Sequence, residues 1–214
     1  MDLAQYLPRL GQGLAVSLQL TVISVVIGYV LGTLLALGVS SRRPWLHWPC
    51  LVVVEFGRGI PALVVLYMVY FGLPSFGVLL ENFAAAAAGL TFTVAAYSSE
   101  MIRGGIASVP KGQREAADAL GLAPATTFVR VILPQGLRSS IPALMGLAIM
   151  SFQGTSLAYS ISVAELMSQA YQVSTITFQY LSVYGVTGLI FAAISVPLTW
   201  LSVGVEKRLA RGAR

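Results

Sequence analysis

Five runs of mostly apolar residues divide the chain, each close to the 20 or so residues that a membrane-crossing helix needs. The first covers about 14 to 39 and ends at Ser40-Ser41-Arg42-Arg43-Pro44; the others cover about 49 to 73, 83 to 102, 137 to 159 and 180 to 205. The first is too long for the core of a secretion leader, and it begins behind Asp2 rather than a basic cluster, so it reads as a retained helix. Glycine and proline interrupt several runs, which a helix bundle tolerates because neighbouring helices satisfy the freed backbone groups. The pattern predicts an all-α integral membrane protein of about five transmembrane helices, forming one domain over residues 1–214.

The basic residues alternate with the runs. Arg42 and Arg43 lie in the first connection; Arg103, Lys111, Arg114, Arg130 and Arg138 in the third; Lys207, Arg208, Arg211 and Arg214 in the tail. The second and fourth connections have none. Cytoplasmic connections hold the excess of Lys and Arg, so this asymmetry predicts the N-terminus outside and the C-terminus in the cytoplasm. Of the thirteen cations, only Arg9, ahead of the first run, and Arg58, inside the second, fall elsewhere.

Composition narrows the class further. Hydrophobic residues make up 57% and charged residues 10% of 214 positions, with a mean hydropathy of +0.81, which is outside the range of soluble domains. The formal charge of +5 is explained by membrane orientation rather than nucleic acid. One cysteine, Cys50, permits no intrachain disulfide, and one histidine, His47, has no ligand cluster around it, so no metal or redox centre is expected. No Gly-x-x-x-x-Gly-Lys-Ser/Thr loop is present to hold nucleotide phosphates.

The third connection is the chemically distinctive segment. Between Pro110 and Pro124, Ala116, Ala117, Ala119 and Leu120 favour helix while Lys111, Arg114, Glu115 and Asp118 prefer water. This predicts a short surface helix, with Gly121 ending it in a left-handed conformation so that the chain turns toward Leu133 and Pro134 and the fourth run. By composition alone, a plain amphipathic interfacial helix with positive-inside charges is the better explanation of the segment. The order Glu115-Ala116-Ala117, then Gly121, then Val131-Ile132-Leu133-Pro134 favours something more specific.

That order resembles the EAA loop of bacterial ATP-binding-cassette importer permeases, with Val131 where the family usually has isoleucine. The likeness extends along the chain. Glu55-Phe56-Gly57-Arg58-Gly59-Ile60-Pro61, Tyr70-Phe71-Gly72-Leu73-Pro74, the stretch from Ala96 through Ile106, Val109-Pro110-Lys111-Gly112-Gln113, Thr155-Ser156-Leu157, Val163-Ala164-Glu165-Leu166 and Val205-Glu206-Lys207-Arg208-Leu209 are similar to polar amino-acid permeases. Coverage runs from about 13 to 209. The resemblance implies half of a type I importer in the bacterial cytoplasmic membrane, carrying a polar amino acid or similar small solute by alternating access. It implies no catalysis here: ATP and Mg belong to cytoplasmic ATPase subunits that dock on the loop. Other implied partners are a second permease subunit, identical or related, an extracytoplasmic solute-binding protein and membrane lipid.

Glu115, Ala116, Ala117, Gly121, Leu133 and Pro134 are accordingly the candidate coupling residues. Gln153, Thr155 and Ser156 are candidate pathway residues, because Gln153-Gly154 stand where the family often has Lys-Asp. A neutral site there suits loosely held polar solutes, or leaves selection to the binding protein. Glu55 with Arg58, and Glu100 with Arg103, are three apart and share helix faces, so structural ion pairing is expected of both. Glu165 in the outer connection is expected either to meet the binding protein or to be solvated, and Gly28 and Gly32 offer a close helix contact. A channel or secondary transporter independent of an ATPase is the alternative; it leaves the loop without a purpose. An intramembrane enzyme finds no nucleophile and base pair with one histidine.

Overall fold

A helix stands at each of the five apolar runs in the computed structural model, which describes residues 3–211 and contains no strand among them. Asp2 and Arg214 lie outside the described residues. Helix α1 (Leu7–Val39) buries Leu10, Gly13, Ser17, Leu20, Ser24, Gly28, Gly32 and Ala36, a stripe of mostly small residues at helical spacing. Its bulkier apolar residues, such as Val22, Val26, Val30 and Leu34, face outward. Small residues inward and large ones outward is the arrangement of a helix in lipid, where association rests on close backbone approach.

The second run departs from expectation. It is not one continuous helix but two, α2 (Pro44–Gly59) and α3 (Ala62–Tyr67), and the axis bends by 109° between them. Pro61 is the cause: it pushes Ile60 out of the helical region, to φ −106° and ψ 137°, and cannot donate to a carbonyl one turn back. After α3 a π-helical turn (Met68–Gly72) precedes Leu73-Pro74, and another (Phe128–Ile132) precedes Leu133-Pro134. A proline ring displaces the carbonyl four residues before it, and widening the turn accommodates the loss.

Helix α4 (Asn82–Ala107) is the centre, packed by α1, α2, α3 and a later helix over Leu133–Gly154. Gly28 and Gly32 of α1 sit directly on it: a Cβ at Gly28 would lie 2.6 Å from Val94 Cγ1, and one at Gly32 would lie 2.8 Å from the Ala95 carbonyl oxygen. Beyond the third connection, which contains α5 (Lys111–Ala119) and α6 (Pro124–Thr127), helix α7 (Leu133–Gly154) leads into a 3₁₀ stretch ending at Ile161. The fourth helical run therefore begins near 124, not 137. The remaining helices are α8 (Leu166–Thr177) and α9 (Tyr180–Arg211), the latter exposing Leu181, Leu189, Trp200 and Leu201.

Three described helical stretches, Leu7–Val39, Pro124–Ile161 and Tyr180–Leu209, are long and apolar enough to cross a membrane, and the bent pair makes a fourth if taken as one span. At 26 residues α4 is about 39 Å long. Its alanine, serine and threonine content, with Glu100 and Arg103, reflects a helix shielded by its neighbours.

Glu165 corrects another expectation. It is 0% exposed, neither solvated nor open to a partner. Its carboxylate accepts from the backbone N–H groups of Met167 (2.8 Å) and Ser168 (2.7 Å), capping α8, and from the Ser17 hydroxyl of α1 at 3.3 Å. Burial pushes its pKa up to about 7 against these three donors, which pull the other way. Beside it, Arg9 donates to Gln169 and Gln172 of α8.

Candidate functional site

The loop between α4 and α7 is built from local signals. Pro110, at ψ 139°, is the residue before α5 and starts it by excluding continuation of α4. At the other end Gly121 takes φ +69°, its N–H donates to the Asp118 carbonyl (3.0 Å), and the Leu122 N–H donates to the Ala117 carbonyl (3.1 Å). These two bonds are a Schellman termination, so Gly121 ends the helix as expected. Ala123, extended at ψ 143°, then hands the chain to Pro124 at the first position of α6.

Only Ala117 of α5 is buried; Glu115, Ala116 and Gly121 are exposed, and Leu120 is 79% exposed. The nine-residue helix and the bare leucine that follows it thus present nearly their whole surface to whatever lies beyond them. Leu133 is half-buried against a cluster formed by Ala36, Ile102, Ile106, Val109 and Ile132, while Pro134 is exposed beside the π turn. Ala117 and Leu133 therefore anchor the loop, and Glu115 and Ala116 face outward.

The base of the loop is rigid. Where α4 crosses α7, a Cβ on Gly136 would lie 2.7 Å from Ile106 Cα, and one on Gly105 would collide with Ser140 Oγ and the Gly136 carbonyl. Two backbones in contact leave no soft side chain between them. Ser140 Oγ lies 2.8 Å from the Gly136 carbonyl and 3.2 Å from that of Met101; Ser108 and Ser139 hydroxyls are 2.9 Å apart; Gln135 donates to Gln113 at 3.2 Å. These contacts join α4 to α7, and the Gln135–Gln113 bond ties α5 to α7.

Above the loop the four predicted ion-pairing residues meet in one cluster rather than two. Arg58 Nη1 is 3.4 Å from Glu55 and 3.7 Å from Glu100, and Arg103 Nε donates to Glu100 at 3.1 Å. The bend at Pro61 makes this geometry: α2 ends level with the last turns of α4, and α3 then rises along α4 with Leu66 on Gly89.

At the bend lies a cavity of about 560 Å³ lined by Arg58, Pro61, Thr93, Tyr97, Ser151 and Gly154, among others. Its walls are largely apolar. Tyr97 donates to the Arg58 carbonyl at 3.3 Å. Ser151 is 7% exposed, and its hydroxyl has no partner among the described residues. A buried orphan hydroxyl costs stability unless water or a ligand completes it. Of the candidate pathway residues, Thr155 is 0% exposed and donates to the Phe152 carbonyl, Ser156 donates to the Gln153 carbonyl, and Gln153 is exposed. None of the three lines this cavity. Sequence reasoning passed over Ser151, Thr93 and Tyr97 because an uncharged residue in an apolar helix carries no outward mark; the Gly59-Ile60-Pro61 break was the only local signal.

Residues 14–211 match the protein family described as "Binding-protein-dependent transport system inner membrane component". The chain is 38% identical over 213 residues to the L-cystine transport system permease protein of Bacillus subtilis (strain 168), covering 98% of this chain and 91% of that protein. It is 35% identical over 205 residues to the arginine transport system permease protein of the same organism, covering 95% and 93%. Among solved structures it resembles one described as an amino acid ABC transporter with histidines, with a TM-score of 0.92 and 31% identity over 97% of this chain and 99% of that one.

Proposed function

The chain belongs to the family of binding-protein-dependent transport system inner membrane components, and from that premise we propose that it forms half of an ATP-driven import pathway for a polar amino acid. The observation that carries this reading is the bent α5–α6 loop, exposed at its tip and locked at its base where Gly105 and Gly136 bring two backbones together. A channel or ion-driven carrier needs no such lever.

In this reading the N-terminus is outside, and the loop faces the cytoplasm of a bacterium. ATPase subunits, which hold ATP and Mg, grip α5 by Glu115, Ala116 and Leu120. A second permease subunit, identical or related, completes the pathway, and an extracytoplasmic binding protein delivers the solute. ATP-driven approach of the ATPases moves the two loops together and shifts the bundle between outward and inward openings. The solute cavity is the one at the α2–α3 bend, where Ser151, Thr93 and Tyr97 offer hydroxyls within apolar walls. Relatives named for cystine and for arginine transport support an amino acid as the solute.

The test is reconstitution in vesicles with the ATPase and binding protein. Accumulation of an amino acid that requires ATP and the binding protein supports the proposal. Uptake that persists without the ATPase supports the channel or secondary-transporter alternative instead.

A further inference from the structure

The four-charge cluster stands between two cavities. The cavity at the bend has Arg58 in its wall. A second cavity, of about 1040 Å³, reaches α5 and has Arg42, Glu55, Glu100, Arg103, Arg114 and Asp118 among its lining residues. Arg58 thus faces the first chamber while its partners Glu55 and Glu100 line the second, and the 3.7 Å Arg58–Glu100 contact ties α2 to α4 at the boundary.

The second chamber has a distinctive balance, three guanidinium groups against three carboxylates. Such walls suit a zwitterion, which brings one charge of each sign, better than a simple anion or cation. Thr127 lines the same chamber and is 6% exposed, and its hydroxyl has no partner among the described residues.

Resting on the amino-acid importer reading, we propose that the two chambers are successive stations of one route, and that the Arg58–Glu100 pair is the gate between them. A zwitterionic amino acid opens it by offering its carboxylate to Arg58 and its ammonium to Glu100. Neither side chain is stranded when the pair parts, because Arg58 keeps Glu55 and Glu100 keeps Arg103. Both partners are about one-third exposed, at 33% and 32%, so solvent weakens the contact. Removing it shifts the closed-to-open ratio by only roughly two- to fivefold, a scale suited to a gate that must open at every cycle.

The experiment uses the complete transporter, with ATPase and binding protein, in proteoliposomes, and the radiolabelled protein amino acids as probes. Arg58→Gln and Glu100→Gln should each raise ATP hydrolysis without binding protein by roughly two- to fivefold. In a Cys50→Ser background, Arg58→Cys and Glu100→Cys joined by a short bifunctional thiol reagent should stop uptake, and reductant should restore it in the same sample. Uptake by the linked transporter at the rate of the reduced one, or wild-type hydrolysis in both neutral variants, overturns the gate. If the unmodified transporter accumulates no amino acid with ATP, the importer reading fails first, and that result is distinct from a failure of the gate.

Discussion

Gly121→Ala isolates the lever from everything around it. Gly121 sits at φ +69°, and a Cβ there meets no atom within 4 Å, so the substitution introduces no clash within the chain. Its cost is conformational: an L-residue in the left-handed region loses about 1–2 kcal/mol. Little offsets that loss locally, since α5 has nine residues and one buried side chain. The two terminating bonds, Gly121 to Asp118 and Leu122 to Ala117, should therefore open roughly 5–30 times more often. Hydrogen exchange at the Gly121 and Leu122 amides should speed up by that factor. Amino acid imported per ATP should fall, while the thermal midpoint of the bundle stays near wild type because the site lies outside the packed helices. Gly121→Asn, which accepts the left-handed conformation, should recover most of both. An alanine variant with wild-type exchange and stoichiometry would refute the conformational argument. An asparagine variant as poor as alanine would show that the missing Cβ, not the backbone angle, is what the loop requires.

Gly136→Ala places its new methyl group 2.7 Å from Ile106 Cα, where only backbone can yield, and should cost ~1–3 kcal/mol, read as a lowered unfolding midpoint in detergent. Ser151→Ala removes an unpartnered hydroxyl, so it should leave stability level or slightly higher while raising the half-saturating solute concentration by roughly two- to tenfold; an unchanged value would take Ser151 out of the pathway. Thr155→Val, which loses a bond inside its own helix, should leave solute affinity as it is. Glu165 has its acid pKa raised from an ordinary 4.5 to about 7, so the folded state binds the extra proton. Its stabilising contribution is full below about pH 4.5 and fades as pH rises through about 7, and Glu165→Gln should flatten that slope in unfolding midpoints taken from pH 5 to 8.

Comparing particular elements shows where sequence reading reaches. The helix stop at Gly121 was legible because a left-handed position and the glycine that fills it are adjacent properties of one stretch of chain. Gly28 and Gly32 were legible as a pair, but only their seating against Val94 and Ala95 made them a crossing. The second run was read as one span because its apolar character continues through Gly59-Ile60-Pro61, and hydropathy does not register a turn of the backbone. Glu165 was read as outward-facing because a carboxylate usually is. Its burial rests on two N–H groups at the start of α8 and a serine almost 150 residues earlier.

By itself the sequence determined the membrane class, the positions of five apolar helical runs, the place of the loop and the way its first helix ends. These follow from transfer energy and backbone preference, which act over a few neighbouring residues. Only the tertiary structure decided that Arg58 would face Glu100 as well as Glu55, that Ser151 and not Thr155 would line a cavity, and that two glycines would weld the loop to the bundle. Those outcomes depend on the angle at which distant helices cross, and a 109° bend at one proline sets the partners of side chains some forty residues away.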